Sequence, residues 1–206
     1  VELSPEQKTQ YKNMRVNLIA ELRGEIIPAP QALTKLMKLC QICGGFIISQ
    51  EKCINFNKNS KLEELLELLQ EIGNNQVIIW CQFQNEAEII NKMLGDKSRI
   101  VNGTITNEQK ILNIEDFKNA KIQYLICHPK SMAYGVTLTN ASYNIYYSLS
   151  YSYEQLYQSQ HRVKRITQKN KIFYYYLLCR DTIDEIIFSV VKNKRKEEDI
   201  IKEFLK

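Results

Sequence analysis

The chain has 206 residues, of which 44% are hydrophobic and 25% are charged; this is the composition of a globular protein and excludes an intrinsically disordered one. Its formal net charge of +5, from 28 basic and 23 acidic residues, is too mild to identify a class of partner. No run approaches the roughly 18 apolar residues of a membrane span. The first residues lack the features of a signal peptide, and the absence of an initiator Met predicts a piece of a longer protein.

The first sixty residues predict helices and one small hairpin. Ser4 to Gln7 has the pattern of a capping box, with Ser at the N-cap, Pro at the first helical position and Gln three residues after the cap. A second helix is predicted over 31–43, and a hairpin over 46–56. We therefore predict a helical lead-in segment over residues 1–60.

Beyond residue 60, strands alternate with helices. Leucine spacing and capping boxes predict helices that begin near Ser60, Asn85, Thr106, Glu154 and Thr182, the last running as one long charged helix toward Lys206. Apolar runs predict strands over 77–81, 98–101, 122–127, 144–149 and 171–179. This alternation predicts an α/β fold with a parallel, doubly wound sheet and helices on both faces over residues 61–206. Together with the lead-in segment it is expected to form one structural unit.

The cysteines, histidines and glycines limit the chemistry of the chain. Cys40 and Cys43 have the spacing of a zinc-ligand pair, but no second pair exists and the two histidines stand far apart, so no metal site is predicted. None of the seven glycines precedes a lysine, which excludes a GxxxxGK[ST] phosphate loop. The chain is therefore not expected to bind a nucleoside triphosphate in that manner by itself.

Positive charge is concentrated in one window of the sequence. Residues 155–180 carry six basic side chains and no acidic one, so the rest of the chain sums to about −1. Arg162 and Arg165 are three residues apart at the end of a predicted helix, and they therefore share a face. Two guanidinium groups on one face suit phosphate oxygens. Composition alone leaves three possibilities open: nucleic-acid backbone, nucleotide phosphate, or a solvated basic turn beside a tyrosine-rich core.

Two motifs in this region resemble those of Swi/Snf-like superfamily-two helicases. The segment 158–168 is similar to motif VI, Q-x-x-x-R-x-x-R-I-G-Q, with matches at Gln158, Arg162, Arg165, Ile166 and Gln168 and with Thr167 in place of Gly. The segment 135–141 resembles motif V, G-L-N-L-T-x-A, and 77–83 resembles motif IV. The resemblance extends from about residue 3 to 206, and the short loop at Gly135 is more similar to the bacterial and phage branch.

The resemblance implies the C-terminal RecA-like lobe of a two-lobe ATPase. An N-terminal lobe of the same full-length protein would supply the phosphate loop and hold most of the ligands of Mg²⁺, and ATP would bind between the lobes. Arg162 and Arg165 would act as arginine fingers, with Gln158 beside them in a catalytic role, and Gly135 would contact the nucleotide. This fragment alone is then expected to be inactive.

The resemblance also implies a nucleic-acid track. Thr137, Thr139 and Lys130 are the residues expected to contact nucleic acid, with double-stranded DNA as the partner and no contact with a membrane. The expected location is the cytoplasm of a bacterial or phage-infected cell. Alternatives that stay open are the motor lobe of an RNA helicase or of a restriction-system subunit, and a non-enzymatic nucleic-acid-binding module.

Overall fold

The computed structural model describes residues 1–24, 27–49, 52–132, 136–164 and 170–206. Within these ranges the chain forms eight α-helices: α1 Pro5–Gly24, α2 Ala29–Cys43, α3 Ser60–Ile72, α4 Gln84–Leu94, α5 Asn107–Lys118, α6 Tyr153–Val163, α7 Ile183–Lys192 and α8 Glu198–Phe204. The same ranges contain seven strands: β1 Phe46–Ser49, β2 Lys52–Asn55, β3 Val77–Trp80, β4 Ser98–Val101, β5 Tyr124–Cys127, β6 Tyr143–Tyr146 and β7 Phe173–Tyr176.

These elements form two compact units. Unit 1 contains Val1–Leu66, Tyr151–Tyr153 and Leu178–Lys206, and unit 2 contains Glu67–Ser150 and Glu154–Leu177. The predicted lead-in boundary at residue 60 stays a prediction. Among the described residues, no helix combines the length and hydropathy that crossing a membrane requires.

Unit 2 is built on a five-stranded sheet in the order β4-β5-β3-β6-β7, with every pair parallel. The central strands β3 and β5 are buried along their whole length, as expected for strands covered by helices on a parallel sheet. The predicted α/β fold with a parallel sheet is therefore confirmed.

Helix α6 packs against the tyrosine-rich strands β6 and β7. Leu156, Ser159 and Val163 form the buried face of this helix, and the hydroxyl groups of Tyr146 and Ser159 lie 2.7 Å apart. The Tyr146 ring stacks on that of Tyr176, with centroids 4.9 Å apart. These contacts leave the opposite side of α6 at the surface.

Strands β6 and β7 are shorter than predicted, and β3 and β5 also lack one and two of their predicted residues. The runs 144–149 and 171–179 form strands only over Tyr143–Tyr146 and Phe173–Tyr176. The ladder lasts four residues because Tyr146 pairs with Trp80, the last residue of β3. Tyr147, Leu177 and Cys179 beyond this point are buried outside the strands, so hydropathy alone overstated the length of the strands.

Unit 1 confirms the first capping box. The Gln7 amide donates to Ser4 Oγ and the Ser4 amide donates to Gln7 Oε1, both at 3.3 Å. The predicted N-cap at Ser60 is wrong, because Ser60 is already helical and Asn59 Oδ1 accepts the Leu62 amide at 3.2 Å.

The predicted single C-terminal helix is also wrong. The chain ends α7 at Lys192 and begins α8 at Glu198. Asn193 caps α7 through its amide, which donates to the carbonyl oxygens of Ser189 and Val191, and Lys194 takes a left-handed conformation with φ of 55°. A turn between the two helices packs Ile200 and Phe204 into the core of unit 1.

Candidate functional site

The loops that follow β3, β4 and β5 enclose a cleft of about 450 Å³ in unit 2. Because these neighbouring strands are parallel, their carboxyl ends lie at one edge of the sheet, where α/β folds bind ligands. The lining comes from these loops and the start of α4: Cys81, Gln82, Phe83, Gln84, Ala87, Asn102, Gly103, Thr104, His128, Lys130 and Ser131. Among the described residues, no acidic side chain is in this lining, so the cleft favours an anionic ligand over a cation.

Asn102 organises the loop after β4. Its side-chain oxygen accepts hydrogen bonds from the Thr104 amide at 3.0 Å and from Thr104 Oγ1 at 2.6 Å. Asn102 itself is buried, whereas Gly103 and Thr104 are exposed. The loop therefore presents a backbone segment and a hydroxyl group to the cleft on a fixed support.

The environment of His128 lowers its pKa, which favours the neutral imidazole. Its Nδ1 accepts a hydrogen bond from the Lys130 amide at 3.1 Å, which places the ring proton of the neutral tautomer on Nε2. Burial lowers the pKa of His128, the charge of Lys130 lowers it further, and the backbone of Gln82 acts in the opposite direction. The positive charge of the lining at neutral pH therefore comes from the exposed Lys130.

A buried carboxylate supports the loop after β3. Glu86, which is 1% exposed, accepts the Phe83 amide at 3.2 Å and is hydrogen-bonded to Ser148 Oγ. Ser148 Oγ also accepts the Gln82 amide at 2.7 Å. These contacts fix the backbone that forms one wall of the cleft.

Two matching residues of motif VI that the structure describes, Gln158 and Arg162, lie on α6. They are four residues apart and therefore share one side of the helix; Gln158 is exposed and Arg162 is half-buried. Gln158 Nε2 donates to Glu154 Oε1 at 2.9 Å. Among the described residues, no carboxylate lies within ion-pair distance of the Arg162 guanidinium.

Motif V meets the end of α6 through one backbone hydrogen bond. The Leu138 amide donates to the Arg162 carbonyl at 2.9 Å, and the Leu138 side chain is fully buried. Thr137 and Thr139, which flank Leu138, are half-buried. The chain therefore brings these two predicted residues to the end of the helix that carries Arg162.

The predicted site residues occupy two places in unit 2. Lys130 lies at the cleft, whereas Gln158, Arg162 and the two threonines lie at or beside α6. Two further predicted residues, Gly135 and Arg165, lie outside the described residues, as do Ile166, Thr167 and Gln168 of motif VI.

Several residues of the cleft were not predicted as site residues. Asn102, Thr104 and Ser131 line it from two loops that are far apart in sequence. Their position directly after apolar runs was the one available signal, because side chains after parallel strands converge at one edge of a sheet.

A family model named "Helicase conserved C-terminal domain" matches residues 58–167, more than half of the chain. Relatives occur in phage, bacteria and eukaryotes. Protein p41 of Acyrthosiphon pisum secondary endosymbiont phage 1 is 25% identical over 100% of this chain and 45% of its own length. The uncharacterized ATP-dependent helicase MG018 of Mycoplasma genitalium is 24% identical over 95% of this chain and 20% of its own length. The chain thus spans less than half of these relatives.

Solved structures share the fold. The SWI2/SNF2 ATPase core domain of Sulfolobus solfataricus has a TM-score of 0.73 at 21% identity, covering 100% of this chain and 43% of that one. The same core in complex with dsDNA has a TM-score of 0.70 at 23% identity, covering 98% of this chain and 44% of that one.

The matched region includes the whole cleft and the α6 helix with Gln158 and Arg162. It also includes the segments that resemble motifs IV and V. The chain therefore belongs to the helicase conserved C-terminal domain family.

Proposed function

We propose that the chain is the C-terminal lobe of an ATP-dependent DNA translocase or helicase. The observation that carries the proposal is the joint placement of motifs V and VI, which the Leu138–Arg162 backbone hydrogen bond connects, within a matched helicase domain. Such a connection would couple a nucleotide site to a nucleic-acid contact. The phage and bacterial relatives favour the cytoplasm of a bacterial or phage-infected cell as its setting.

In this proposal ATP and Mg²⁺ bind between this lobe and an N-terminal lobe of the full-length protein, which holds most of the Mg²⁺ ligands. Arg162 and Arg165 contact the γ-phosphate as arginine fingers and offset the charge that develops during phosphoryl transfer. Gln158 positions groups beside them, and Gly135 contacts the nucleotide. The half-buried Arg162, with which no described carboxylate forms an ion pair, suits a phosphate ligand.

The proposed partner is double-stranded DNA, which the complex of the S. solfataricus core favours. Lys130, Thr137 and Thr139 contact its backbone, together with the Gly103–Thr104 loop of the cleft. Hydroxyl groups, amides and an ammonium bind phosphate without reading sequence, which is what a translocase requires.

The arginine fingers are tested in the full-length protein with Arg165→Ala and Arg162→Ala. We expect DNA-stimulated ATP hydrolysis to fall by about 10³–10⁵ for a finger, while duplex binding is retained. The control is Lys164→Ala, because Lys164 is exposed and has no role in the proposal. Unchanged hydrolysis in both arginine variants would refute the assignment, and stimulation by RNA in place of DNA would favour an RNA helicase.

The cleft is tested by Lys130→Gln in the 206-residue chain, with duplex affinity measured by fluorescence anisotropy over a series of KCl concentrations. One lost phosphate contact lowers the slope of log K against log salt by about 0.9. The control is Lys118→Gln, which removes an exposed charge on α5. Equal slopes in the parent chain and Lys130→Gln would exclude Lys130 from the interface.

A further inference from the structure

Unit 1 contains a second groove, of about 420 Å³, that lies outside the motifs discussed above. One wall is the first half of α1, and the other is formed by the N-terminal residues and the turn before α7. Its charged lining residues are Glu2, Lys8, Lys12, Arg15, Arg180 and Asp181. Four cations and two anions give the groove a positive excess.

Hydrogen bonds between distant parts of the chain fix the walls of this groove. The Val1 backbone nitrogen donates to the Leu178 carbonyl at 2.8 Å, and the Arg180 amide donates to the Val1 carbonyl at 2.9 Å. The Ile183 amide donates to the buried hydroxyl of Tyr11 on α1 at 2.7 Å. The groove is therefore formed before any ligand binds, which reduces the entropy cost of binding.

Two of the four cations are not neutralised by the groove itself. Glu2 contacts both Lys8 at 3.4 Å and Arg180 at 3.0 Å. In the described part of the chain no carboxylate lies within ion-pair distance of Lys12 or Arg15. The Arg15 guanidinium lies 5.9 Å from the centre of the Phe204 ring, which limits its freedom while its N–H groups stay available.

The spacing of these cations fits a linear polyanion. Lys8, Lys12 and Arg15 follow the i, i+4, i+7 pattern of one helix face, and at 1.5 Å per residue they extend over roughly 10 Å. A nucleic-acid strand carries a phosphate about every 3.4 Å of helix axis, so a row of this length can face more than one phosphate. A single small anion would contact only part of the row.

We propose that this groove binds the phosphodiester backbone of nucleic acid, as a contact separate from the cleft of unit 2. The inference rests on the proposed function only for the choice of nucleic acid as the partner. Within the basic row, Lys8 forms an exposed ion pair with Glu2. Such a pair adds little to folding stability, so Lys8 can exchange it for a phosphate at little cost to the fold.

The test uses the 206-residue chain with the double substitution Lys12→Gln/Arg15→Gln and a fluorescein-labelled DNA duplex over a series of KCl concentrations. We expect weaker binding and a slope of log K against log salt that is smaller by about 1.8, or 0.9 for each contact. Circular dichroism and the thermal midpoint check that the variant folds. The matched control is Lys192→Gln/Lys196→Gln, which removes two exposed charges from the same unit outside the groove.

The outcomes separate this inference from the proposed function. An equal loss in the control pair means a general charge effect and overturns the groove, as does an unchanged slope in Lys12→Gln/Arg15→Gln. If Lys130→Gln lowers the slope while Lys12→Gln/Arg15→Gln does not, DNA binding at the cleft is supported and DNA binding at the groove is contradicted; the reverse result supports the groove alone.

A different anionic ligand is tested with labelled poly-glutamate. If Lys12→Gln/Arg15→Gln loses poly-glutamate binding with unchanged DNA binding, the groove binds an acidic peptide and the proposal is overturned. Undetectable duplex binding by the parent chain would also overturn it.

Discussion

The most deeply buried charge in unit 1 is that of Lys61, whose side chain is 1% exposed. Its Nζ lies 2.5 Å from Asp184 Oδ2, which also accepts the Cys179 amide at 3.1 Å. Burial lowers the pKa of Lys61, but the charge of Asp184 and its hydrogen bond, together with Cys179 and Cys43, hold the pKa well above its ordinary value. The ion pair therefore persists at neutral pH and is lost only as the pH rises through that raised value.

Breaking this pair should be costly. Lys61→Met leaves the Asp184 carboxylate buried without its partner, and we expect the free energy of unfolding to fall by about 3–5 kcal/mol. The double variant Lys61→Met/Asp184→Leu removes both charges and should recover much of that loss. Denaturant unfolding of the three proteins measures the effect, and equal stability of the single variant and the parent would contradict it.

The lowered pKa of His128 gives a second prediction at the scale of one residue. Because the unfolded chain holds the His128 proton more tightly than the folded chain does, this residue stabilises the fold above about pH 6.5 and the contribution is lost on acidification. His128→Gln should therefore reduce the loss of unfolding free energy between neutral and mildly acidic pH. Chemical unfolding at several pH values tests this, and parallel pH profiles would argue against it.

At the scale of elements, the turn between α2 and β1 depends on Asn59. Asn59 Nδ2 donates to the Gly44 carbonyl at 2.8 Å, while Asn59 Oδ1 accepts the Leu62 amide at the start of α3. One side chain thus connects the end of α2 to the beginning of α3. The sequence pattern assigned the cap to Ser60 because Ser60 and Glu63 have the capping-box spacing. The structure assigns it to Asn59, whose contact with Gly44 joins residues 15 positions apart in the chain.

Gly45 makes the close approach of Asn59 possible. It has a φ of 91°, and a Cβ at this position would lie 2.1 Å from Asn59 Nδ2. Gly45→Ala should therefore cost about 1–3 kcal/mol of folding stability. The control is Gly24→Ala, because a Cβ there meets no atom within 4 Å and alanine favours the helix. Thermal or denaturant unfolding should show the loss only in the first variant.

At the scale of the whole molecule, the chain corresponds to one part of longer relatives and spans less than half of their length. In the proposed function, a phosphate loop on a second lobe would position ATP and Mg²⁺ for in-line attack. The function proposed above therefore depends on a second lobe that binds the other side of the nucleotide.

This dependence predicts the behaviour of the isolated chain. The purified 206-residue lobe should show no ATP turnover with or without DNA, and the full-length protein should hydrolyse ATP in a DNA-stimulated manner. A steady-state phosphate-release assay compares the two, with Arg165→Ala in the full-length protein as the check that any turnover belongs to this site. ATP turnover by the isolated 206-residue chain would contradict the two-lobe mechanism.

Much of the fold could be predicted because its signals are local. The buried strands Val77–Trp80 and Tyr124–Cys127 are continuous apolar runs, and the Ser4 capping box uses groups three residues apart. The break between α7 and α8 escaped prediction because no Gly or Pro marks it. A non-glycine residue, Lys194, takes the left-handed turn there, and the packing of Phe204 compensates for its cost.

The sequence by itself determined the order of strands and helices, the family and the residues of motif VI, since each depends on periodicity or on spacing within a short segment. Only the tertiary structure decided which distant residues share a surface. The order of the strands brings Asn102 and Ser131 to one cleft, and backbone hydrogen bonds from Val1 bring Arg180 beside α1. Long-range strand pairing and burial decide which of these distant residues lie together, and neither produces a periodic pattern in the sequence.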